Sequence, residues 1–127
     1  MSQEAKIICI VEDNKSINKL YSTLLKKAGY LPEAFFDGKT AYEWLKNNNA
    51  ACLVLDMLLP DMNGPDLLNL IRELPNCKNV PAIAVTGFAL GKDKEQFLNL
   101  GFDFYMPKPI NTASFVSQVK EVIANKK

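Results

Sequence analysis

The amino-acid sequence predicts the α/β class: a doubly wound, five-stranded parallel sheet with helices on both faces. Short apolar runs alternate strictly with segments of helical periodicity, and the connections between them are short. Three runs are apolar throughout, as central strands are, whereas the second and fifth are mixed or short, as edge strands are. This pattern is compatible with the strand order 2-1-3-4-5. The length of 127 residues is enough for one domain, which we assign to residues 1–127.

The first unit contains a buried strand, Ile7–Val11, that ends on the acidic pair Glu12-Asp13. The residues after this pair have the spacing of an amphipathic helix. Its apolar face comprises Ile17, Leu20, Tyr21, Leu24, Leu25 and Ala28. Gly29 follows at a position where glycine commonly ends a helix.

The second unit begins with a mixed strand, Leu31–Phe36, in which Pro32 favours the sheet edge because proline has no N–H to donate. Asp37-Gly38 predicts a turn. A short helix is then indicated by Ala41, Trp44 and Leu45.

The third unit contains the most informative run, Ala51–Asp56, in which five residues suited to burial are followed by a carboxylate. A loop containing Pro60 and Gly64 comes next, so we expect Asp56 at the rim of the sheet. Pro65 suits the first turn of the following helix. The apolar face of that helix comprises Leu67, Leu68, Ile71 and Leu74.

The last two strands are predicted at Ala82–Val85, which ends on Thr86-Gly87, and at Phe102–Met106, which leads to Lys108. A weaker helix between them is expected from Lys92 to Leu100, with Phe97 and Leu98 toward the core. The final helix has an apolar face of Phe115, Val116, Val119, Val122 and Ile123.

The composition narrows the functional classes. A formal net charge of +1 indicates neither a nucleic-acid groove nor an affinity for anionic membranes. No apolar run approaches the ~20 residues that span a bilayer, and the N-terminus has no signal-peptide pattern, so we expect a cytoplasmic protein. The chain has no histidine, which excludes Ser-His-Asp and Cys-His catalysis and a phosphohistidine on this chain.

The three cysteines are an odd number, which argues against a disulfide framework. Cys9 and Cys52 fall within strand-like runs, where cysteine acts as a small buried residue. Cys77 falls in a loop-like segment, which favours exposure of its thiol. No Cys-x-x-Cys pair is present, so the sequence does not indicate a zinc or redox site.

Polar residues follow the strands at their carboxyl ends, which share one edge of a parallel sheet. Glu12, Asp13, Asp56, Thr86 and Lys108 should meet there. Neighbouring carboxylates repel one another, and a shared cation relieves the repulsion. Oxygen ligands favour Mg²⁺, Mn²⁺ or Ca²⁺, and a site with few protein ligands suits Mg²⁺. Such a site can bring a phosphoryl group to the Asp56 carboxylate.

These motifs, taken in order, resemble the receiver domain of two-component response regulators, which has the flavodoxin-like (CheY-like) fold. The resemblance covers about Lys6 to Ile123. The matching residues are Glu12-Asp13, Asp56 with Pro60 and Gly64 beyond it, Thr86-Gly87, Tyr105 and Lys108-Pro109.

The resemblance implies a role for each residue at the sheet edge. Asp56 would accept a phosphoryl group. Asp13, Asp56 and the backbone carbonyl of Met57 would ligate Mg²⁺, for which Mn²⁺ could substitute, and Glu12 would act mainly through a bound water. Lys108 would pair with the phosphoryl group, and its bond to the following proline would be cis.

The resemblance also implies a conformational switch. Thr86 would move to hydrogen-bond the phosphoryl group, and Tyr105 would turn inward into the vacated space. The surface formed by the fourth predicted helix, the fifth strand and the last helix would change and so alter partner binding. Leu58 and Phe88 are apolar where some receivers carry polar residues that guide water, which predicts slow autodephosphorylation by a protein that is otherwise not an enzyme.

The implied partners are a histidine kinase or histidine phosphotransfer protein as donor and a downstream protein as target, with no direct contact to nucleic acid or membrane. The chain would be a monomer or a phosphorylation-dependent dimer. Leu90, Tyr105, Pro107 and Ile110 are candidate partner contacts.

Several alternatives share parts of this pattern. A degenerate receiver would keep the fold and act as a constitutive interaction module. A flavin carrier would need a phosphate loop in place of Glu12-Asp13, and an aspartyl-phosphate hydrolase would need an acid at Leu58. Taken alone, Asp56 could be an ordinary turn or capping residue. The pair Glu12-Asp13, taken alone, could simply favour the N-terminus of the first helix.

Overall fold

A computed structural model describes residues 6–87 and 99–126 of the chain. Its strands form one parallel sheet in the order β2-β1-β3-β4-β5, which confirms the predicted topology. The strands are β1 (Ile7–Val11), β2 (Leu31–Phe35), β3 (Cys52–Asp56), β4 (Ala82–Thr86) and β5 (Phe104–Pro107). The helices described are α1 (Lys15–Lys27), α2 (Gly38–Leu45), α3 (Gly64–Arg72) and α4 (Phe115–Asn125), with a short 3-10 helix at Pro75–Cys77.

Alternate residues of the central strands face opposite sides of the sheet and create two apolar layers. On one side, Cys9, Leu53 and Ala84 pack with residues of α2 and α3. On the other side, Ile8, Val54 and Ile83 pack with residues of α1 and α4. Because both faces are covered, the three central strands are buried and are apolar along nearly their whole length.

The three helices that follow β1, β2 and β3 each begin with a capping side chain. Asn14, Asp37 and Asn63 accept hydrogen bonds from the backbone N–H groups of Ile17, Thr40 and Asp66, respectively. Such caps satisfy N–H groups that have no partner within the helix. They fix the point at which the chain leaves the sheet edge and turns back as a helix.

The boundaries differ from the predicted ones in several places. α2 begins at Gly38, because the predicted Asp37-Gly38 turn is the cap of the helix. β5 begins at Phe104 rather than Phe102. Leu20, predicted to face the core, is 42 % exposed, whereas Asn18 takes a buried position on α1. The predicted helix Lys92–Leu100 lies mostly outside the described residues, as do Phe88, Leu90, Phe97 and Leu98.

All three cysteines are buried and free. This confirms the prediction for Cys9 and Cys52, whereas the predicted exposure of Cys77 was wrong. The segment around Cys77 forms the 3-10 helix, which turns the thiol into the layer of α2 and α3. Within the part of the chain that the structure describes, no helix is long and apolar enough to cross a membrane.

Candidate functional site

A cleft of about 310 Å³ opens at the carboxyl edge of the sheet. Its lining brings together residues from the ends of four chain segments: Asp13, Asp56, Met57, Leu58, Thr86, Gly87 and Lys108. A larger cavity of about 370 Å³ lies beside the start of β5 and the end of α4. The charge of Asp103 there is already compensated by Lys126, at 2.9 Å, and by Arg72, at 3.7 Å. Asp13, Asp56, Thr86 and Lys108, which were predicted at the sheet edge, line the first cleft and not the larger cavity.

Three carboxylates meet at this cleft. Oxygen atoms of Glu12, Asp13 and Asp56 all lie within 4.8 Å of one another. Glu12 and Asp56 are buried, and Asp13 is exposed. Acidic groups this close are electrostatically unfavourable unless cations share the site. The set offers hard oxygen donors of the kind that Mg²⁺ binds.

Lys108 supplies one positive charge to the acidic group. Its Nζ atom lies 3.0 Å from Asp56 Oδ2 and 2.9 Å from Glu12 Oε1. Burial acts to lower the pKa of Lys108, but the hydrogen bonds and negative charges of Glu12 and Asp56 outweigh it and raise the pKa. The side chain is therefore a stable ammonium group at neutral pH.

Glu12 is turned into the protein beneath the cleft. Its Oε2 atom accepts the backbone N–H of Asn14 at 3.0 Å, and its Oε1 atom faces Lys108. Burial raises the pKa of Glu12, and the contacts with Asn14 and Lys108 only partly oppose this rise. Glu12 is not among the residues that line the cleft.

The loop after β3 holds the Met57 carbonyl in place. The backbone N–H of Gly64 donates to this carbonyl at 2.9 Å, which leaves a second lone pair on the oxygen. A Cβ atom on Gly64 would lie 2.9 Å from the Asp56 carbonyl oxygen and 3.0 Å from Met57 Cα. Only glycine allows this close approach without a shift of the backbone.

Thr86 and Tyr105 occupy neighbouring strands. Thr86 ends β4, is buried and lines the cleft. The backbone N–H of Lys108 donates to the Thr86 carbonyl at 2.7 Å and so joins the ends of β4 and β5. Tyr105 is half-buried on β5, packs against the layer of α2 and α3, and is not among the residues that line the cleft. The Lys108–Pro109 bond is cis, as the resemblance implied.

Two polar residues near the cleft were not singled out from the sequence. Asn18 is buried in α1 and donates to backbone carbonyls at the ends of β1 and β2. Asp61 accepts the backbone N–H groups of Gly38 and Lys39 and so ties the loop after β3 to the start of α2. An amide within the apolar stripe of a helix was a signal for Asn18, whereas nothing in the sequence distinguished Asp61 from other loop acids.

Comparison with known proteins agrees with this geometry. A family model described as the response regulator receiver domain matches residues 8–120. The chain belongs to the response regulator receiver domain family. Among curated relatives of this receiver domain is the polar-differentiation response regulator DivK of Brucella ovis. It is 28 % identical over 120 residues, which cover 94 % of this chain and 98 % of the relative.

Solved structures resemble the receiver domain along nearly its whole length. A putative response regulator from Chloroflexus aurantiacus superposes with a TM-score of 0.88 at 25 % identity, covering 96 % of this chain and 100 % of the other. The receiver domain of the sensor histidine kinase PA1611 from Pseudomonas aeruginosa, solved with a magnesium ion in its active-site cleft, gives a TM-score of 0.85 at 28 % identity, with coverage of 96 % and 100 %.

Family membership and relatives together identify the function at the level of the family. The chain is a phosphorylation-dependent signalling switch of the two-component type. The acidic group of Glu12, Asp13 and Asp56 is consistent with this function.

Proposed function

We propose that Asp56 is the phosphoacceptor of this receiver domain. The observation that carries the proposal is the pairing of the buried Asp56 carboxylate with the Lys108 ammonium, at 3.0 Å, at the mouth of an acidic cleft. A carboxylate oxygen of Asp56 attacks the phosphorus atom of a phosphohistidine on the donor protein. A P–O bond forms while the P–N bond breaks, and the bonding electron pair leaves with the imidazole nitrogen. Lys108 then pairs with the transferred phosphoryl group.

Asp13, Asp56 and the Met57 carbonyl are the proposed ligands of Mg²⁺, with Mn²⁺ as a substitute and Glu12 acting mainly through a bound water. The close approach of the three carboxylates and the free lone pair of the Met57 carbonyl support this assignment. When bound, the cation neutralises charge on the phosphoryl oxygens. The residues of the chain hold the acceptor carboxylate in place and keep the lysine beside it.

Phosphorylation is proposed to act on partner binding through Thr86 and Tyr105. The Thr86 hydroxyl donates to a phosphoryl oxygen, and Tyr105 turns inward on the neighbouring strand. Both residues lie close to Lys108 along the chain or across the sheet: Thr86 pairs with Pro107, the residue before Lys108, and Tyr105 lies on β5 two residues before Pro107. The changed surface comprises the segment between β4 and β5, β5 itself and α4.

The donor is proposed to be a histidine kinase or a histidine phosphotransfer protein, because the chain has no histidine of its own. Residues 1–127 would act as one receiver domain in the cytoplasm, as a monomer or as a phosphorylation-dependent dimer, with another protein as the target. The apolar Leu58, 65 % exposed beside Asp56, supports slow hydrolysis of the phosphoryl group, since it cannot orient an attacking water.

Incubation with Mg²⁺ and acetyl phosphate, read by intact-protein mass spectrometry, tests the acceptor. We expect one phosphoryl adduct on the unaltered chain and on Asp66→Asn, and none on Asp56→Asn. Asp66 is a suitable control because it is an exposed acid on the first turn of α3. Disappearance of the adduct after removal of acetyl phosphate measures hydrolysis, which we expect to be slow.

The proposal is wrong if no adduct forms on the unaltered chain, or if the adduct survives Asp56→Asn. The first result would favour a constitutive interaction module. The second would place the acceptor on another residue.

A further inference from the structure

Asn18 is a buried polar residue in a helix face that is otherwise apolar. It is 1 % exposed, and it lies on the same face of α1 as Tyr21 and Leu25, which pack against the sheet. A buried amide is unfavourable unless its hydrogen-bonding groups are satisfied. We therefore expect the Asn18 amide to make hydrogen bonds that an apolar residue at this position could not make.

The Asn18 amide joins the ends of two strands. Its Nδ2 atom donates to the carbonyl of Glu12, at 2.9 Å, and to the carbonyl of Phe35, at 3.0 Å. The backbone N–H of Glu12 also donates to the Phe35 carbonyl, at 3.0 Å. Both amide protons are thus used, and the first residue after β1 is tied to β2 and to α1.

The Glu12 carbonyl belongs to the peptide group that joins Glu12 to Asp13. Because a peptide group is planar, a hydrogen bond that fixes its carbonyl also fixes the direction in which the chain enters Asp13. The Asp13 side chain is exposed, so packing does little to hold it. Its approach to Asp56 and Glu12 therefore depends on its backbone.

We propose that Asn18 is a positioning residue for the metal site, holding the Glu12–Asp13 peptide so that the Asp13 carboxylate faces Asp56. The inference rests on the proposed binding of Mg²⁺ by Asp13 and Asp56. Asn18 itself touches neither the cation nor the phosphoryl group. Residues that orient metal ligands commonly change metal affinity by about 10–100-fold when they are replaced.

Titration with Mg²⁺ alone, followed through the backbone amide resonances of Asp13 and Met57, tests the role of Asn18. Asn18→Leu keeps much of the volume and removes both donors, and Asn18→Ala removes the same donors with a smaller side chain. We expect Mg²⁺ to bind at least about tenfold more weakly to either variant than to the unaltered chain. The comparison uses whichever variant retains more stability in urea unfolding.

Leu25→Val is the matched control, because Leu25 lies two turns further along the same buried face of α1. It loosens the packing of the helix without removing a hydrogen bond to Glu12. We expect its Mg²⁺ affinity to equal that of the unaltered chain, even where its loss of stability equals that of the Asn18 variant.

The outcomes separate this inference from the proposed function. If the unaltered chain shows no saturable Mg²⁺ binding, the proposed metal site fails, and the role of Asn18 fails with it. If the unaltered chain binds Mg²⁺ and the Asn18 variant binds equally tightly, the positioning role alone is wrong. Equal weakening by Leu25→Val would also overturn it, because the effect would then follow from helix stability.

Discussion

Lys108 offsets part of the negative charge that the carboxylates bring to the cleft. Among the residues that the structure describes, three carboxylates and one ammonium leave the site with two formal negative charges, which a divalent cation would balance. The ammonium lies between Glu12 and Asp56 and so reduces the repulsion of the two buried acids. The Lys108 Nζ atom, 3.0 Å from Asp56 Oδ2, would pair with the phosphoryl group that Asp56 is proposed to accept.

Gly64 is a second residue of interest, because the neighbouring backbone atoms leave no room for a side chain at this position. In Gly64→Ala, the added Cβ would meet the Asp56 carbonyl oxygen and Met57 Cα at or below 3.0 Å, so the backbone must shift. We expect a loss of about 1–3 kcal/mol in the free energy of unfolding, measured in urea. We also expect the phosphoryl adduct to form more slowly.

Gly87→Ala is the control for the stability effect of Gly64→Ala, because a Cβ atom there would meet none of the described residues within 4 Å. Its free energy of unfolding should stay close to that of the unaltered chain. A Gly64→Ala protein as stable as Gly87→Ala, with an unchanged rate of adduct formation, would show that the close contact has no such consequence.

The residues of the cleft were predictable where their position followed from a strand end. Asp56 and Thr86 end apolar strands, and parallel topology brings strand ends together whatever their distance along the chain. The place of Asn18 in an apolar helix face marked the residue, but its role was not predictable, because that role depends on the carbonyl of Phe35, seventeen residues away on β2. Sequence periodicity shows which side chains are buried, but not which backbone groups need a donor.

Helix α2 is held at its start by two acidic side chains. Asp37 accepts the backbone N–H and the hydroxyl of Thr40, at 2.8 Å and 2.7 Å. Asp61 accepts the N–H groups of Gly38 and Lys39, each at 2.9 Å. Negative charge suits the N-terminus of a helix, and here it also anchors the loop that follows Asp56.

Asp37→Ala should reduce the free energy of unfolding by about 1 kcal/mol at neutral pH, since it removes the cap of α2. Hydrogen bonds from the backbone N–H and the hydroxyl of Thr40 lower the pKa of Asp37. The charged cap is therefore favoured in the folded state. Its electrostatic contribution is present above the ordinary aspartate pKa and is lost as pH falls through the lowered value.

Urea unfolding of the Asp37 variant at neutral and acidic pH measures this dependence, and the difference from the unaltered chain should narrow in acid. Asp37→Asn keeps an accepting oxygen at every pH, so it should differ less from the unaltered chain as the pH falls. A deficit of Asp37→Ala that is constant with pH would contradict the contribution of the charge.

Element type and order could be predicted from periodicity, but element ends could not. The start of α2 was misplaced because Asp-Gly is both a common turn and, here, a cap followed by the first helical residue. The 3-10 helix at Pro75–Cys77 was missed because three residues are too few to show a period. Cys77 is the last residue of that short helix and is buried because of it, so its burial was missed as well.

We expect the proposed cation site to be coupled to folding of the whole domain. A ligand that binds only the folded state stabilises it by mass action, about 2.7 kcal/mol at a concentration one hundred times the dissociation constant. We expect Mg²⁺ to raise the free energy of unfolding of this receiver domain, because the acidic cleft exists only when β1 and β3 are paired.

Asp13→Asn should remove most of that gain while making the metal-free protein slightly more stable, by about 0.5 kcal/mol, because one repelling charge is lost. Urea unfolding with and without Mg²⁺ measures both effects. Asp66→Asn, which lies outside the cleft, should keep the full gain. An Asp13→Asn protein that retains the full gain would show that Asp13 does not bind the cation.

The burial of every cysteine gives the receiver domain a practical property. Burial raises the pKa of Cys52 to about 12 and also raises the pKa values of Cys9 and Cys77, and only a thiolate reacts readily with an alkylating dye. The folded chain thus offers such a dye no accessible native target. A Leu58→Cys substitution, at a position 65 % exposed and two residues from the proposed acceptor Asp56, would provide one labelling point. A fluorophore there could follow phosphorylation in real time while all three native cysteines remain in place.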